Sequence, residues 1–477
     1  MPFTSLDFAI FFGAVLCLNW LVKSREGLYR PFLLAASIAF YAFGAPKFVP
    51  LLAAVSLLNW QTVRLMDQKP AFRKAILAAD ITANLGLLIF FKYFEFLLSS
   101  LESLGLIPPA GLLALPEIVY PVGLSFFTFQ GLSLAIDQYR SPDPEPPSLL
   151  DTMVFVTFFP TVLSGPIQRY STFQAQLAVT RPNPAAFSLA LYLILAGLFK
   201  KVALSSYLSE QIVRGVFQVP ESYSALGVLA GIYGYSAQIY LDFSGYSDLA
   251  QGIGLLLGLD AGQNFRSPYL TSNVRDFWRR WHISLSSWLK DYLYIPLGGS
   301  RRGSQTLNLL LTQTLGGLWH GAHLRYLVWG LAHGLALAGT HLYFKFTGRS
   351  ALLKEAAPRR PAPRREKLKK WGGFLLTINF VSFTWILFRA ENLDRASEIA
   401  RSALDWSRPG DGAPLLVWLI VLLTLAGQKY GSRIQKLFLT VHRRLAWPAL
   451  ALWFAFWVIV ILKLGPEGVL PFIYFQY

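Results

Sequence analysis

The sequence predicts an all-α, polytopic integral membrane protein with roughly 10–12 transmembrane helices. Three observations carry that prediction. Of 477 residues, 54% are hydrophobic and only 14% are charged, against about 25% charged in an ordinary soluble domain. Apolar runs of spanning length, about 17 to 25 residues, recur almost from end to end. The 43 Lys and Arg outnumber the 26 Asp and Glu for a net charge of +17, and they gather in short stretches between the apolar runs. That is the pattern of cytoplasmic loops lying beside anionic headgroups. In a soluble chain the same charge would suggest nucleic acid, but no aromatic-interleaved basic module is present. Membrane lipid is the expected partner, and nucleic acid is not.

The apolar runs fall near 5–22, 31–46, 48–65, 76–100, 119–137, 187–206, 224–258, 306–345 (room for two), 373–389, 414–428 and 446–463. The first follows MPFTSLDF, with no basic n-region and no small-residue cleavage site, so a retained helix is expected. Its Cys17, the only cysteine, excludes an intramolecular disulfide and reads as a small buried hydrophobe. Lys23, Arg25 and Arg30 lie in one loop, and Arg64, Lys69, Arg73 and Lys74 in another. Residues 275–302, 349–370 and 429–444 are also basic, whereas the alternate loops are poorer in Lys and Arg, which puts both termini outside. Between 119–137 and 187–206, the segment 150–165 does not fit the parity as a full span. Pro160 and Gly165-Pro166 interrupt it, so a broken or re-entrant helix is expected. The stretch 349–370, with APRRPAPRREKLKK, is too rich in proline and charge to pack and reads as a basic cytoplasmic linker. The organisation expected is one membrane domain over 1–477, with its chemistry concentrated in 264–345.

That core segment holds four of the six histidines. Ionisable groups at membrane depth are costly and point to function, and histidine moves protons near neutral pH. In NFRSPYLTSNVRDFWRRWHISLSSWLKDYLYIPLGGSR, helical spacing puts Phe277, Trp281 and Trp288 on one face and Arg275 and Arg279 on another. An interfacial amphipathic helix results, able to offer cations to an anionic donor. His282 follows Trp281 directly. In GGLWHGAH, small residues leave room around His320, and His323, three residues on, would share its helix face. No carboxylate or cysteine completes a ligand set there and HExxH is absent, so no metal is expected. His333 reads as a hydrogen-bonded packing residue. Asp242 and Asp248, in QIYLDFSGYSD, need buried partners, for which Arg275 and Arg279 are candidates. Ser125, Thr128, Gln130 and Asp137 are placed for interhelical hydrogen bonds.

The strings PVGLSFFTFQGLSLAIDQYR, LSGPIQRY, IYLDFSGYSDLAQGIGLLLG, the block 264–301, GGLWHG, WGLAHG and the terminal FIYFQY together resemble the membrane-bound O-acyltransferase (MBOAT) family. The resemblance is strongest to its bacterial alginate O-acetyltransferase branch. It implies the MBOAT fold, helices with re-entrant and interfacial pieces around a central tunnel, in a multi-pass protein of the bacterial inner membrane. It makes His320 the catalytic histidine and His282 a second one, with Arg275, Arg279, Trp278, Trp319 and Asp242 as candidates for substrate binding. It implies no bound cofactor, acetyl-CoA as the acyl donor, and an extracytoplasmic SGNH-hydrolase-like acetyltransferase that hands the group to a polysaccharide such as alginate. Related chains commonly read WHGAN where this one has His323, so the neighbouring hydrogen bonds are not carried over. An alternative within the family is another donor or acceptor: D-alanine from a carrier-protein thioester to teichoic acid, or acetyl to peptidoglycan or cellulose. A proton-coupled transporter is a further alternative, but the internal symmetry usual for that class is not apparent in this sequence.

Overall fold

In a computed structural model, residues 1–108, 119–143, 145–179, 181–347, 364–442 and 444–465 are described. Most of the expected basic linker and the terminal FIYFQY lie outside them. Among the described residues the secondary structure is helical, with no strand beyond an isolated bridge between Tyr223 and Asp411. In chain order the helices are α1 (Leu6–Val22), α2 (Glu26–Gly44), α3 (Val49–Gln68), α4 (Arg73–Ser103), α5 (Leu124–Arg140), α6 (Leu149–Thr157) and α7 (Tyr170–Leu177). α8 (Pro184–Gln218) contains π-helical turns at Phe199–Ser205 and Ser209–Val213. There follow α9 (Ala225–Leu256), α10 (Val274–Trp278), α11 (Ile283–Leu289), α12 (Gln305–His320) and α13 (Leu324–Phe346). α14 (Arg364–Arg389), α15 (Leu393–Ser402), α16 (Leu415–His442) and α17 (Trp447–Leu464) complete the series. Every expected apolar run is a helix, and 306–345 splits into two at Gly321.

Among the described residues, five segments are long and apolar enough to cross a membrane: Pro46–Gln68, Pro70–Ser103, Pro184–Gln218, Glu366–Arg389 and Leu415–His442. Two shorter apolar helices are Leu6–Val22 and Pro448–Leu464. The other expected spans carry more polar residues for a physical reason. In α5 every residue from Leu124 to Ala135 is buried, and a helix enclosed by protein need not be apolar all round, whereas a lipid-facing one must. The same logic corrects Cys17, which is exposed on the outer side of α1. A helix that is apolar on every side gives no sequence signal for its inner face.

The described residues form two compact units. The first comprises Met1–Gly197 and Tyr246–Gln263. Here α3 packs on α4, α5 and α6. The α3–α4 seam is polar: Thr62 donates to Asp80 at 2.9 Å, and Asn59 donates to Asn84 at 3.4 Å. Such bonds are the usual glue between helices in lipid. The expected bonds from α5 are fewer, because the Thr128 and Gln130 side chains make none, although Ser125 pairs with Tyr120 at 2.9 Å. The segment 150–165 is broken as expected. α6 stops at Thr157, and Phe158, Phe159 and Val162 fill the interior while the freed Phe159 N–H donates to Ser37 Oγ at 3.2 Å.

The end of α1 closes the C-terminus of α9 in the same unit. Helix ends leave carbonyls without partners. Trp20 Nε1 donates to Leu256 O at 3.0 Å, and Lys23 Nζ donates to Leu257 O at 2.5 Å and to Tyr29 Oη at 2.9 Å. A cation there also complements the helix dipole. Gly258 adopts φ +78°, the left-handed region that favours glycine, and a Cβ on it would lie 2.7 Å from Lys23 Nζ and displace that amine. Lys23→Met should therefore destabilise the protein by about 1–3 kcal/mol, the cost of leaving a buried acceptor without its donor. A lowered midpoint in thermal unfolding of the detergent-solubilised chain is the expected readout; an unchanged midpoint would contradict the contact.

The second unit comprises Leu198–Gly245 and the described residues from Asn264 onward. Its centre is the hairpin of α12 and α13, against which α14 and α10 pack. The segment 264–302 corrects an expectation: instead of one amphipathic helix there are α10, α11 and a π turn at Lys290–Tyr294. The facing pattern survives the break, with Phe277, Trp281 and Trp288 buried and Arg279 exposed.

Candidate functional site

The site is assembled by close packing of α12 and α13. A Cβ on Gly317 would lie 2.4 Å from Tyr326 O and 2.8 Å from Gly330 Cα, and one on Gly321 would lie 2.5 Å from Tyr326 Cε2. Only glycines allow this approach, as small residues do wherever membrane helices meet closely. The consequence is that His320, the last residue of α12, is held among rings. Centroid distances are 4.8 Å to Trp319, 5.3 Å to Trp329, 4.9 Å to Phe388 and 6.3 Å to Tyr326. Trp329 meets it at 90° and Phe388 at 76°, the edge-to-face geometry that aromatic quadrupoles favour. His320 is half-buried.

Phe388 is fixed from behind. Arg325 is buried and donates through Nη1 to Phe388 O at 2.9 Å and also to Ala390 O, tying the start of α13 to the end of α14. Its guanidinium lies 4.5 Å from the Tyr326 ring centroid, a cation–π contact. Trp329 is set in turn by His333, whose ring centroid is 4.7 Å away. Trp278 Nε1 donates to His333 Nδ1 at 3.2 Å, and His333 Nε2 pairs with Thr384 Oγ1 at 3.0 Å. An indole N–H can only donate, so Nδ1 is the acceptor and Nε2 carries the proton that goes to Thr384. His333 is thus the buried, hydrogen-bonded packing residue expected from the sequence.

His282 sits in the left-handed region at φ +44°, directly before α11. A non-glycine residue there is uncommon, and such strain collects at functional positions. Asn264 maintains it, accepting from Ile283 N through its carbonyl at 2.9 Å and from Ser284 N through Oδ1 at 3.1 Å. The ring is 1% exposed and lies 4.6 Å from Phe243 and 6.5 Å from Trp319. Trp319 therefore touches both histidines.

The remaining candidates divide. Trp278 belongs to the cluster through His333, and Trp319 through both catalytic candidates. Arg275 is half-buried and Arg279 exposed on α10 and its cap; Arg279 lies 3.6 Å from Asp276. Asp242 pairs not with either arginine but with Lys201, on the π-helical turn of α8, both side chains under one-tenth exposed. The wider π turn is what brings Lys201 inward, a feature without a sequence period to announce it. His323 does not share a helix face with His320, because α12 ends at His320 and His323 caps α13 as an exposed residue. Among the described residues no three His, Cys, Asp or Glu side chains converge as a metal site would need. Trp329, Phe388 and Arg325 were not singled out from the sequence. Trp329 stands in the WGLAHG string, whereas nothing local marked the other two.

Burial pushes His282 down to about 3, with a consequence for stability. At neutral pH the ring is uncharged both folded and unfolded. As pH falls below its ordinary value of about 6.5, the unfolded chain takes up a proton that the folded site refuses until about pH 3, so stability falls across that window. Between pH 6.5 and 4 the wild type should lose stability faster than His282→Gln, by about 1 kcal/mol per pH unit. Parallel unfolding midpoints of the two proteins would contradict the buried neutral ring.

Comparison with known proteins identifies the family. The family model for the membrane-bound O-acyltransferases matches residues 122–368, which include both histidines. The chain is 38% identical over 382 residues to a Pseudomonas putida protein named "Probable alginate O-acetylase AlgI", covering 77% of this chain and 73% of that protein. It is 34% identical to the Helicobacter pylori "Peptidoglycan O-acetyltransferase", with coverages of 77% and 72%. It is 28% identical to the Bacillus subtilis "Teichoic acid D-alanyltransferase", with coverages of 56% and 68%. This chain is a multi-pass acyltransferase belonging to the membrane-bound O-acyltransferase family.

Proposed function

We propose that the protein carries an acetyl group from a cytoplasmic thioester, acetyl-CoA, across the bacterial inner membrane for O-acetylation of an extracytoplasmic polysaccharide such as alginate. The observation that carries this reading is His320 at the end of a helix, half-buried and set among Trp319, Trp329 and Phe388. Apolar walls keep water from competing with the acceptor hydroxyl.

In the neutral form, His320 takes the proton of the attacking hydroxyl as its oxygen bonds to the thioester carbonyl carbon. The C–S bond then breaks, and the proton passes from the imidazolium to the departing thiolate. General-base help of this kind is worth about 10²–10⁴-fold in rate. His282 stays uncharged in its buried position and orients Trp319 and the acyl group. Arg275 and Arg279, on the basic side of 264–302, are suited to the phosphates of coenzyme A. A separate extracytoplasmic SGNH-hydrolase-like acetyltransferase completes delivery to the polymer. The greater identity to the acetylating relatives than to the D-alanyltransferase supports acetyl over D-alanine.

His320→Ala should abolish polymer acetylation in cells while leaving the amount of protein in the membrane unchanged, because His320 is the last residue of α12 and is not fully buried. Base-labile acetyl on the isolated polysaccharide, measured beside an immunoblot of membranes, tests it. Normal acetylation by the variant would overturn the assignment.

A further inference from the structure

α14 begins with Lys367, Lys369 and Lys370, and α16 carries Arg433 and Lys436 near its end, with Arg444 beyond. Both are of spanning length. Basic flanks mark the cytoplasmic end of a span, so residues 390–414, which join the opposite ends, belong to the extracytoplasmic face. They form α15 and a return loop around a cleft of about 600 Å³. Three arginines line it, Arg395, Arg401 and Arg408, interleaved with the four carboxylates of Glu391, Asp394, Glu398 and Asp405. The frame is fixed. Ala396, Ile399 and Ala403 bury the other face of α15. Ser224 N donates to Asp411 O at 3.1 Å and Asp411 N to Ser222 O at 3.0 Å, which pins the loop. Arg395 lies 2.8 Å from Glu398 and 3.4 Å from Glu221. Between the lining residues Asp405 and Arg408 stands Trp406, 69% exposed.

We infer that this cleft is an extracytoplasmic subsite for a hydroxyl-rich sugar chain, with Trp406 offering its flat ring to the apolar face of a sugar. The inference rests on the reading that the acceptor is an extracytoplasmic polysaccharide and narrows it to an uncharged one, setting the polyuronate alginate aside. A guanidinium only donates and a carboxylate only accepts, whereas each sugar hydroxyl does both. Alternating the two side-chain types along one concave wall therefore matches a polyol. A pure polyanion would call for arginines without the carboxylates, and a protein partner for a broad patch of roughly 800 Å² on each side. The cleft volume falls in the range of about 300–1,000 Å³ typical of small-ligand sites.

The test is isothermal titration calorimetry of the full chain in detergent with cellotetraose and with a β-1,4-linked tetra-uronate. Saturable binding of cellotetraose, weakened at least tenfold in Trp406→Ala and in Arg401→Gln, is expected, with acetyl-thioester turnover unchanged in both variants. No heat with cellotetraose would overturn the subsite, as would equal binding by Trp406→Ala. Binding of the uronate alone, suppressed by salt, would replace hydroxyl recognition with charge and also overturn it. Acetyl-thioester turnover separates the two readings. Missing sugar binding beside turnover that needs His320 defeats only the cleft, whereas turnover that ignores His320 defeats the preceding reading and leaves the binding result standing.

Discussion

Two helices that touch backbone to backbone set the position of everything chemical in the second unit. Gly317 lies against Tyr326 and Gly330, and Gly321 against the Tyr326 ring, with no space for a methyl group at either glycine. Because α13 can come this close, Tyr326 and Trp329 reach His320 from one side while Phe388 reaches it from α14. A single Cβ at Gly317 would push α13 outward, and close-packed interiors pass such displacements on instead of absorbing them. The glycines of the GGLWHG string are therefore structural in act and catalytic in effect.

The three histidines of this cluster hold different positions, and their surroundings explain the division. His333 is sealed and spoken for at both nitrogens, accepting from Trp278 and donating to Thr384, so it positions neighbouring rings. His282 is sealed and kept uncharged by burial on a strained backbone. His320 alone of the three is not fully buried. A buried polar network is costly unless its members are satisfied, and here the partners are indole, hydroxyl and carbonyl groups, with the Arg325 guanidinium as the charged member. The buried Lys201–Asp242 pair is the exception, with both charges taken inside together.

Much of this was legible in the residues. The apolar runs gave the helices, Pro160 marked the break after α6, and the motif strings pointed to His320 and His282. What stayed hidden depended on contacts between distant segments. No period in the sequence reveals that Phe388 meets His320, that Arg325 braces Phe388 from 63 residues away, or that a π turn rotates Lys201 toward Asp242 instead of leaving Asp242 to an arginine. The expected amphipathic helix over 264–302 failed at one residue. His282 takes a left-handed conformation that ends one helix and starts another, and hydrophobic spacing is blind to that. Cys17 shows the same limit in lipid, where apolar residues face outward as readily as inward.

The most direct measurement is turnover of radiolabelled acetyl-CoA by the purified wild-type protein and by His320→Ala, following free thiol and transferred label. Release of thiol that falls about 10²–10⁴-fold in the variant is what a general base at this position predicts. Equal turnover by the two proteins would remove His320 from the chemistry and contradict the account at its centre.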